Sequence, residues 1–346
     1  MNNKFFPANF MFIFIMVLGT IMSLSSSHWF MMWMGLELNL MGILPLMNIK
    51  KKNMEIESSM KYFIIQSMSS SIFIMTTIFT FYYSISMYSM FNISFMSSIM
   101  MMSMLVKLGS APFHFWLPSI CNQMSWMILF LILTWQKLAP LFMLSFMNNN
   151  FTIVITSSLL SAIMGSIQAI NQTNLQLIMV YSSISHLGWM LSSCLNNNFL
   201  MMMYLLIYTL IIFPLFFYFS NKSSYFTYSL SEHNTSMNKE NIFIMVLMLS
   251  LSGMPPMIGF FSKLMILYML MNINLIIMPL ILFLSTTISL YFYLNMMMTL
   301  MMKSFYLLKI NNTNMNMKSI MCFNILGTMI FIPIMMTYAM NILYKS

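Results

Sequence analysis

SMLVKLGSAPFHFWLP, residues 103–118, places a lysine inside an apolar run and then interrupts the helix. Gly109 and Pro112 both disfavour continuous helical hydrogen bonding after Lys107. An ammonium at membrane depth costs about 3 kcal/mol on insertion scales, so such a lysine normally faces a polar interior or an ion pathway. The alternative is a lysine that extends from a helix end to the membrane surface, which requires an interface nearby. The stretch predicts a broken membrane helix with a functional lysine at the break.

Composition places the chain among polytopic membrane proteins. Of its 346 residues 60% are hydrophobic and 5% are charged, far from the usage of soluble domains. The net charge of +9 comes from few residues, so nucleic-acid binding does not explain it. The 51 methionines, with abundant Ile, Phe, Asn and Lys, indicate an AT-rich gene in which ATA encodes Met, and therefore a mitochondrial genome. No leader or transit peptide is evident, so we expect insertion without processing.

About eleven hydrophobic segments are long enough to cross a membrane as α-helices, at about 20 residues per span. Their predicted cores are 5–24, 28–48, 60–83, 95–118, 124–147, 151–170, 176–195, 199–220, 242–270 (interrupted), 274–300 and 320–344. The fold class predicted is an all-α polytopic membrane protein.

Lysines outside the spans sort to one side of the membrane when these segments are counted from an inner N-terminus. The ten on the inner side are Lys4, Lys50, Lys51, Lys52, Lys61, Lys222, Lys239, Lys303, Lys309 and Lys318. One lysine, Lys345, falls on the other side, so the positive-inside rule predicts that the N-terminus faces the matrix. The same inner loops contain four glutamates that we expect to be solvated loop charges: Glu55, Glu57, Glu232 and Glu240.

Two predicted helix breaks correspond to each other at a single spacing along the sequence. Gly109 and Pro112 correspond to Gly253 and Pro256, each pair 144 residues apart (253 − 109 and 256 − 112). The breaks lie five spans apart, which predicts two inverted five-helix repeats with an ion site near the midplane. Coincidence is the alternative, because Gly and Pro are common in membrane helices. The predicted organisation is a single membrane domain, 1–346, with a first repeat at 1–148, a second at 149–300 and a C-terminal helix at 319–346.

Intramembrane charges and a histidine form the candidate site. Glu37 lies mid-segment in WMGLELNL, and its expected partner is Lys107. Lys137 lies in LTWQKLAP, His186 in YSSISHLGWM, and Lys263 follows the second break. A buried carboxylate–ammonium pair keeps both groups charged, so separating the two groups can drive proton movement. A histidine can pass a proton between its two ring nitrogens, although a packing role for His186 is an equal alternative.

Motifs for other chemistries are absent from the sequence. There is no phosphate-binding glycine loop, no HExxH and no clustered Cys or His ligand set. Cys121, Cys194 and Cys322 form no CxxC pair, so we interpret them as small apolar residues. We interpret His114, which lies near an interface, as structural. The chain itself is expected to hold no metal and no redox cofactor.

Six motifs together resemble one family. They are SSHWFMMWMGLELN, LVKLGSAPFHFWLP, LTWQKLAPL, NQTN, YSSISHLGWM and LSGMPPMIGFFSK. They are similar to the antiporter-like chain 2 subunits of mitochondrial NADH-ubiquinone oxidoreductase, respiratory complex I. The resemblance implies a proton-translocating subunit of the membrane arm, in the mitochondrial inner membrane, beside other membrane-arm subunits and lipids. It also implies that the candidate residues form a proton path. By motif, Glu37 and Lys107 would be a paired switch and Lys137 the connecting lysine. His186 would be a relay, and Lys263 would be the lysine of the second half-channel.

The same resemblance implies that NAD, FMN, iron–sulfur clusters and ubiquinone are bound by other subunits of the complex. Two alternatives stay open, namely a free-standing cation/proton antiporter and a structural scaffold of the membrane arm. Gln176 and Leu177 stand where the family usually has basic residues, and Ser119 stands where relatives often have an acid. These departures put any lipid or partner contact at those positions in doubt.

Overall fold

The computed structural model describes residues 7–49, 52–85, 90–147, 151–195, 197–222 and 239–308, and within them every regular element is a helix. The helices are α1 Pro7–Ser25, α2 Trp29–Met47, α3 Asn53–Ile85, α4 Met90–Leu108, α5 Trp116–Cys121, α6 Trp126–Leu133, α7 Trp135–Phe146, α8 Phe151–Ile170, α9 Leu175–Cys194, α10 Asn198–Lys222, α11 Lys239–Ser252, α12 Ile258–Asn272 and α13 Ile277–Leu308.

Each of the first ten predicted spans coincides with a helix or a pair of helices, which confirms an all-α, multi-pass membrane fold. Within the described ranges, six helical stretches are long and apolar enough to cross a bilayer: Trp29–Met47, Asn53–Tyr82, Trp126–Phe146, Phe151–Ile170, Asn198–Asn221 and Ile277–Thr299. The eleventh predicted span, 320–344, lies outside the described residues. The total of eleven helices therefore stays a prediction.

The prediction of loop glutamates was wrong for α3, which begins at Asn53 and includes Glu55 and Glu57. Glu57 accepts a hydrogen bond from the Lys61 ammonium at 2.5 Å, one turn later, and this pair supports the helix. Glu55 lies in the first turn and is only 3% exposed. Acidic side chains favour a helix N-terminus because they offset its positive dipole end. Glu240 is likewise helical, at the start of α11, and Glu232 lies outside the described residues.

Both predicted helix breaks are confirmed, and they share one backbone geometry. Gly109 follows α4 with φ +68° and Gly253 follows α11 with φ +83°. In each case the N–H of the residue after the glycine donates to the carbonyl of the residue four positions before the glycine. These bonds are Ser110 to Leu105 at 3.2 Å and Met254 to Leu249 at 3.3 Å. This is the Schellman helix ending, in which a left-handed residue, usually Gly, closes the last turn. The 144-residue correspondence therefore extends from residue identity to hydrogen bonding.

A third irregularity was not predicted: the span 124–147 is divided at Thr134 into α6 and α7. The backbone at Thr134 is distorted (φ −119°, ψ −69°), and its hydroxyl donates to the Phe130 carbonyl at 2.7 Å. Such back-bonding of a Thr side chain bends helices. The division places Lys137 in the first turn of α7.

Helix α9 lies at the centre of the described bundle. Eighteen of its 20 residues are buried, and it packs against α5, α6, α7, α8, α10, α12 and α13. It approaches α8 so closely that a Cβ on Gly188 would lie 2.7 Å from the Ser158 carbonyl oxygen. Large apolar side chains such as Phe14, Met75 and Ile277 are instead exposed on peripheral helices, as expected of a surface that faces lipid or other subunits. The polar groups on α9 are therefore enclosed by protein.

Candidate functional site

Lys263 is held at the second helix break. Its side chain is 5% exposed, and its ammonium donates to the carbonyls of Ser252, at 2.9 Å, and Leu251, at 3.5 Å. These are the last carbonyls of α11, where the helix dipole presents partial negative charge. Because Gly253 ends the helix, these acceptors turn toward the lysine that follows. The break therefore serves as the solvation shell of a buried cation.

Lys137 is the most enclosed of the candidate lysines, with 2% exposure. Its ammonium donates to the carbonyl of Ser183, on α9, at 3.2 Å. The same ammonium lies 5.4 Å from the centre of the Tyr208 ring, on α10, within the range of a cation–π interaction. The Lys137 ammonium, which belongs to α7, therefore interacts with both α9 and α10.

His186 is buried in the same interior region as the two lysines. Its Nδ1 is 2.7 Å from the Tyr204 hydroxyl, and its ring centre is 5.2 Å from that of Tyr208. Electrostatic interactions link the imidazole to both Lys263 and Lys137. The structure therefore brings three predicted site residues, from α7, α9 and α12, into one interior cluster.

Lys107 and Glu37 form a second, looser part of the site. Lys107 is 7% exposed in the last turn of α4, whereas Glu37 is only half-buried. An electrostatic interaction couples the two groups. Within the described ranges, however, Glu57 and Lys61 make the one ion pair shorter than 4.0 Å. In this conformation Glu37 and Lys107 interact electrostatically, but their charged groups lie too far apart to form an ion pair.

A reciprocal amide pair, which sequence reasoning missed, ties the two parts together. Asn39, on α2, and Gln136, on α7, each donate to the other's carbonyl oxygen at 2.9 Å. Asn39 follows Glu37 by two residues and Gln136 directly precedes Lys137. Both amides lie inside the sequence motifs that contain Glu37 and Lys137, so the two positions were visible in the sequence. The sequence around each amide does not show, however, that the two side chains meet.

Three buried tyrosines that pack beside α9 were also missed: Tyr204 and Tyr208 on α10, and Tyr293 on α13. Both α10 residues interact electrostatically with Tyr293. The hydroxyls of Tyr208 and Tyr293 are buried, and they interact with the side chains of Ser183 and Ser182 on α9 respectively. The spacing of Tyr204 and Tyr208, one turn apart in an otherwise apolar run, was the available signal.

His114, predicted to be structural, and two of the departures from the family pattern make internal contacts. His114 Nε2 lies 3.0 Å from the Gln168 side-chain oxygen, which joins the first break to α8. Gln176, one of the departures from the family pattern, is buried and donates to the Met124 carbonyl at 2.7 Å. Ser119 bonds the carbonyl of Trp116 in its own helix.

Comparisons with known proteins agree with this fold. Residues 26–289 match the family model described as NADH:quinone oxidoreductase/Mrp antiporter, transmembrane. The chain is 37% identical to NADH-ubiquinone oxidoreductase chain 2 of Anopheles gambiae over 274 residues, which is 77% of this chain and 78% of the relative. It is 35% identical to the Bos taurus chain 2 over 278 residues, 79% and 80% of the two chains.

The chain therefore belongs to the NADH-ubiquinone oxidoreductase chain 2 family. Solved structures show that the chain 2 fold is shared more widely. A chain of Thermus thermophilus respiratory complex I is similar with a TM-score of 0.79 at 21% identity, covering 87% of this chain and 71% of that one. A chain of the Dietzia Mrp complex is similar with a TM-score of 0.71 at 14% identity, covering 82% and 59%.

Removing either amide of the Asn39–Gln136 pair leaves its partner's polar groups unpaired, which costs about 1–3 kcal/mol for a buried group. We expect Asn39→Leu and Gln136→Leu each to lower the thermal midpoint of the assembled protein. The double variant should be less destabilised than the sum of the two, because neither amide is then left alone. Additive effects in thermal unfolding would contradict a direct pair.

The second break should tolerate a side chain less well than the first. Gly109→Ala and Gly253→Ala both place an L-residue at positive φ, at about 1–2 kcal/mol each. The new Cβ at 109 would lie 2.6 Å from the end of the flexible Leu117 side chain, whereas the one at 253 would lie 2.7 Å from the Lys263 ammonium, which two carbonyls hold in place. Thermal unfolding should show a larger loss for Gly253→Ala, part of which Lys263→Met relieves. Equal losses, or no relief, would contradict the assigned solvation of Lys263.

Proposed function

We propose that this chain is a proton-translocating subunit of the membrane arm of respiratory complex I, in the mitochondrial inner membrane, and moves protons from the matrix to the intermembrane space. One observation carries the proposal: Lys137, His186 and Lys263 form one buried cluster around α9 in a chain of the chain 2 family. Buried ionisable groups inside a membrane bundle are costly and mark proton or ion pathways.

Each group has a chemistry that suits a step of such a path. The Lys137 ammonium bonds one backbone carbonyl and the Lys263 ammonium bonds two, so neither lysine is kept charged by a carboxylate. His186 can accept a proton on one ring nitrogen and release it from the other. Glu37 and Lys107 are coupled across a gap, so a small movement of either helix changes the energy of the Lys107 charge.

Energy for this movement comes from electron transfer in other subunits. Complex I subunits are the partners of this chain, and NAD, FMN, iron–sulfur clusters and ubiquinone are bound by those subunits in this proposal. Curated relatives named for the NADH-ubiquinone reaction, and the fold shared with a chain of respiratory complex I, support it. This chain then contributes proton movement to the reaction and carries out no redox step.

We further propose that residues 1–148 and 149–300 are inverted repeats, with the N-terminus facing the matrix. The matched Schellman endings at Gly109 and Gly253 support the repeat. In this arrangement Lys107 and Lys263 occupy related places beside the two breaks, as expected of a site built at the repeat interface.

A free-standing cation/proton antiporter is the second candidate, because the Mrp complex chain shares the fold. A sodium site, however, requires several oxygen ligands with negative charge, as hard cations prefer. The sequence has no Asp and five Glu, of which Glu37 alone lies in mid-span. Sodium-dependent proton movement by the chain outside complex I would favour this candidate.

Lys137→Met and Lys263→Met test the proposal directly, with the exposed Lys61→Met as a matched control. We expect all three complexes to assemble on a native gel. Proton-coupled NADH oxidation should fall by about 100-fold in the two buried variants, the usual effect of removing a positioned proton-transfer group, and stay normal in the control. Full pumping in both buried variants would support the scaffold alternative and overturn the proposal.

A further inference from the structure

We propose that Tyr208 is a proton-relay residue that connects Lys137 to His186. This inference rests on the proposed function and adds a residue that sequence motifs did not identify. Tyr208 projects from α10 into the space between α7 and α9, where it is 2% exposed. Its ring lies 5.4 Å from the Lys137 ammonium and 5.2 Å from the His186 ring, so it contacts both ends of the step.

The Tyr208 hydroxyl is the informative atom. It is fully buried, and it interacts with the side chain of Ser183 on α9. It lies near Ser183, the residue whose carbonyl accepts from Lys137. A phenylalanine would supply the same ring without a polar group to bury. The hydroxyl is therefore placed at the residue that also binds the Lys137 ammonium.

The step is balanced in atoms and charge. The Lys137 ammonium gives a proton through water to the Tyr208 oxygen, while the Tyr208 O–H proton passes, also through water, to His186. Lysine becomes a neutral amine, histidine becomes imidazolium, and tyrosine ends unchanged with a new proton. Neither a tyrosinate nor an oxidised tyrosine is formed, and no co-reactant is needed.

Tyr204 positions the acceptor for this step. Its hydroxyl is 2.7 Å from His186 Nδ1. When Nδ1–H donates to the Tyr204 oxygen, the lone pair resides on Nε2, and that nitrogen is then free to receive the proton. Lys263 interacts electrostatically with the same imidazole, and as a neutral amine it can receive the proton next.

Tyr208→Phe isolates the hydroxyl, because it keeps the ring, the volume and the cation–π contact with Lys137. Tyr291→Phe is the matched control, since that tyrosine lies on α13 with 55% exposure. Both complexes should assemble. We expect proton-coupled NADH oxidation per assembled complex to fall at least tenfold in Tyr208→Phe, with a changed solvent deuterium isotope effect, and to be normal in Tyr291→Phe.

Tyr208→His provides a second test, because an imidazole can also accept and donate a proton. A relay predicts that Tyr208→His retains more coupled turnover than Tyr208→Phe, although phenylalanine is the closer match in shape. Normal turnover in Tyr208→Phe, loss of its assembly, or lower turnover in the histidine variant would each overturn the relay. Lys137→Met distinguishes failure of the relay from failure of the proposed function. If only the relay is wrong, Lys137→Met still loses coupled turnover. If the proposed function is wrong, Lys137→Met also pumps normally.

Discussion

The solvation of ammonium groups inside a membrane bundle is the constraint on which the rest of this structure depends. Lipid offers no hydrogen bonds, so each buried lysine needs acceptors supplied by the protein. Lys263 obtains them from a helix that ends beside it, and Lys137 obtains one from a carbonyl on α9 and a second interaction from the Tyr208 ring. Few acceptors surround each charge. Such sites hold a proton without trapping it, which is the property that a path requires.

The position of α9 follows from the same constraint. A helix with many serines and a histidine is too polar to face lipid, and here it is enclosed by seven other helices. Its serine hydroxyls donate to carbonyls one turn earlier in their own helix, for example Ser182 to Met179 at 2.8 Å. That local bonding leaves the hydroxyl oxygens able to accept from other groups. An enclosed polar helix thus provides the interior surface along which lysines from both halves of the chain are placed.

Much of this could be predicted from sequence because it is local. Hydrophobic runs gave the spans, and Gly109 and Gly253 marked helix endings that only a residue tolerant of positive φ can make. The buried charges stood out against apolar neighbours. Contacts between distant elements could not be read in this way: Asn39 and Gln136 are 97 residues apart, and Tyr204 meets His186 through the packing of α10 on α9. The helical start of α3 was missed because Glu55 and Glu57 resemble loop charges until their helix-terminal position is known.

The most direct test of the central claim is a cryo-electron microscopy map of the assembled complex at a resolution that shows ordered water. The account predicts water within hydrogen-bond distance of the Lys137 ammonium and the Tyr208 hydroxyl, and a hydrated connection onward through His186 to Lys263. A dry interior, with apolar side chains sealing Lys137 from His186, would contradict a continuous proton path through this chain.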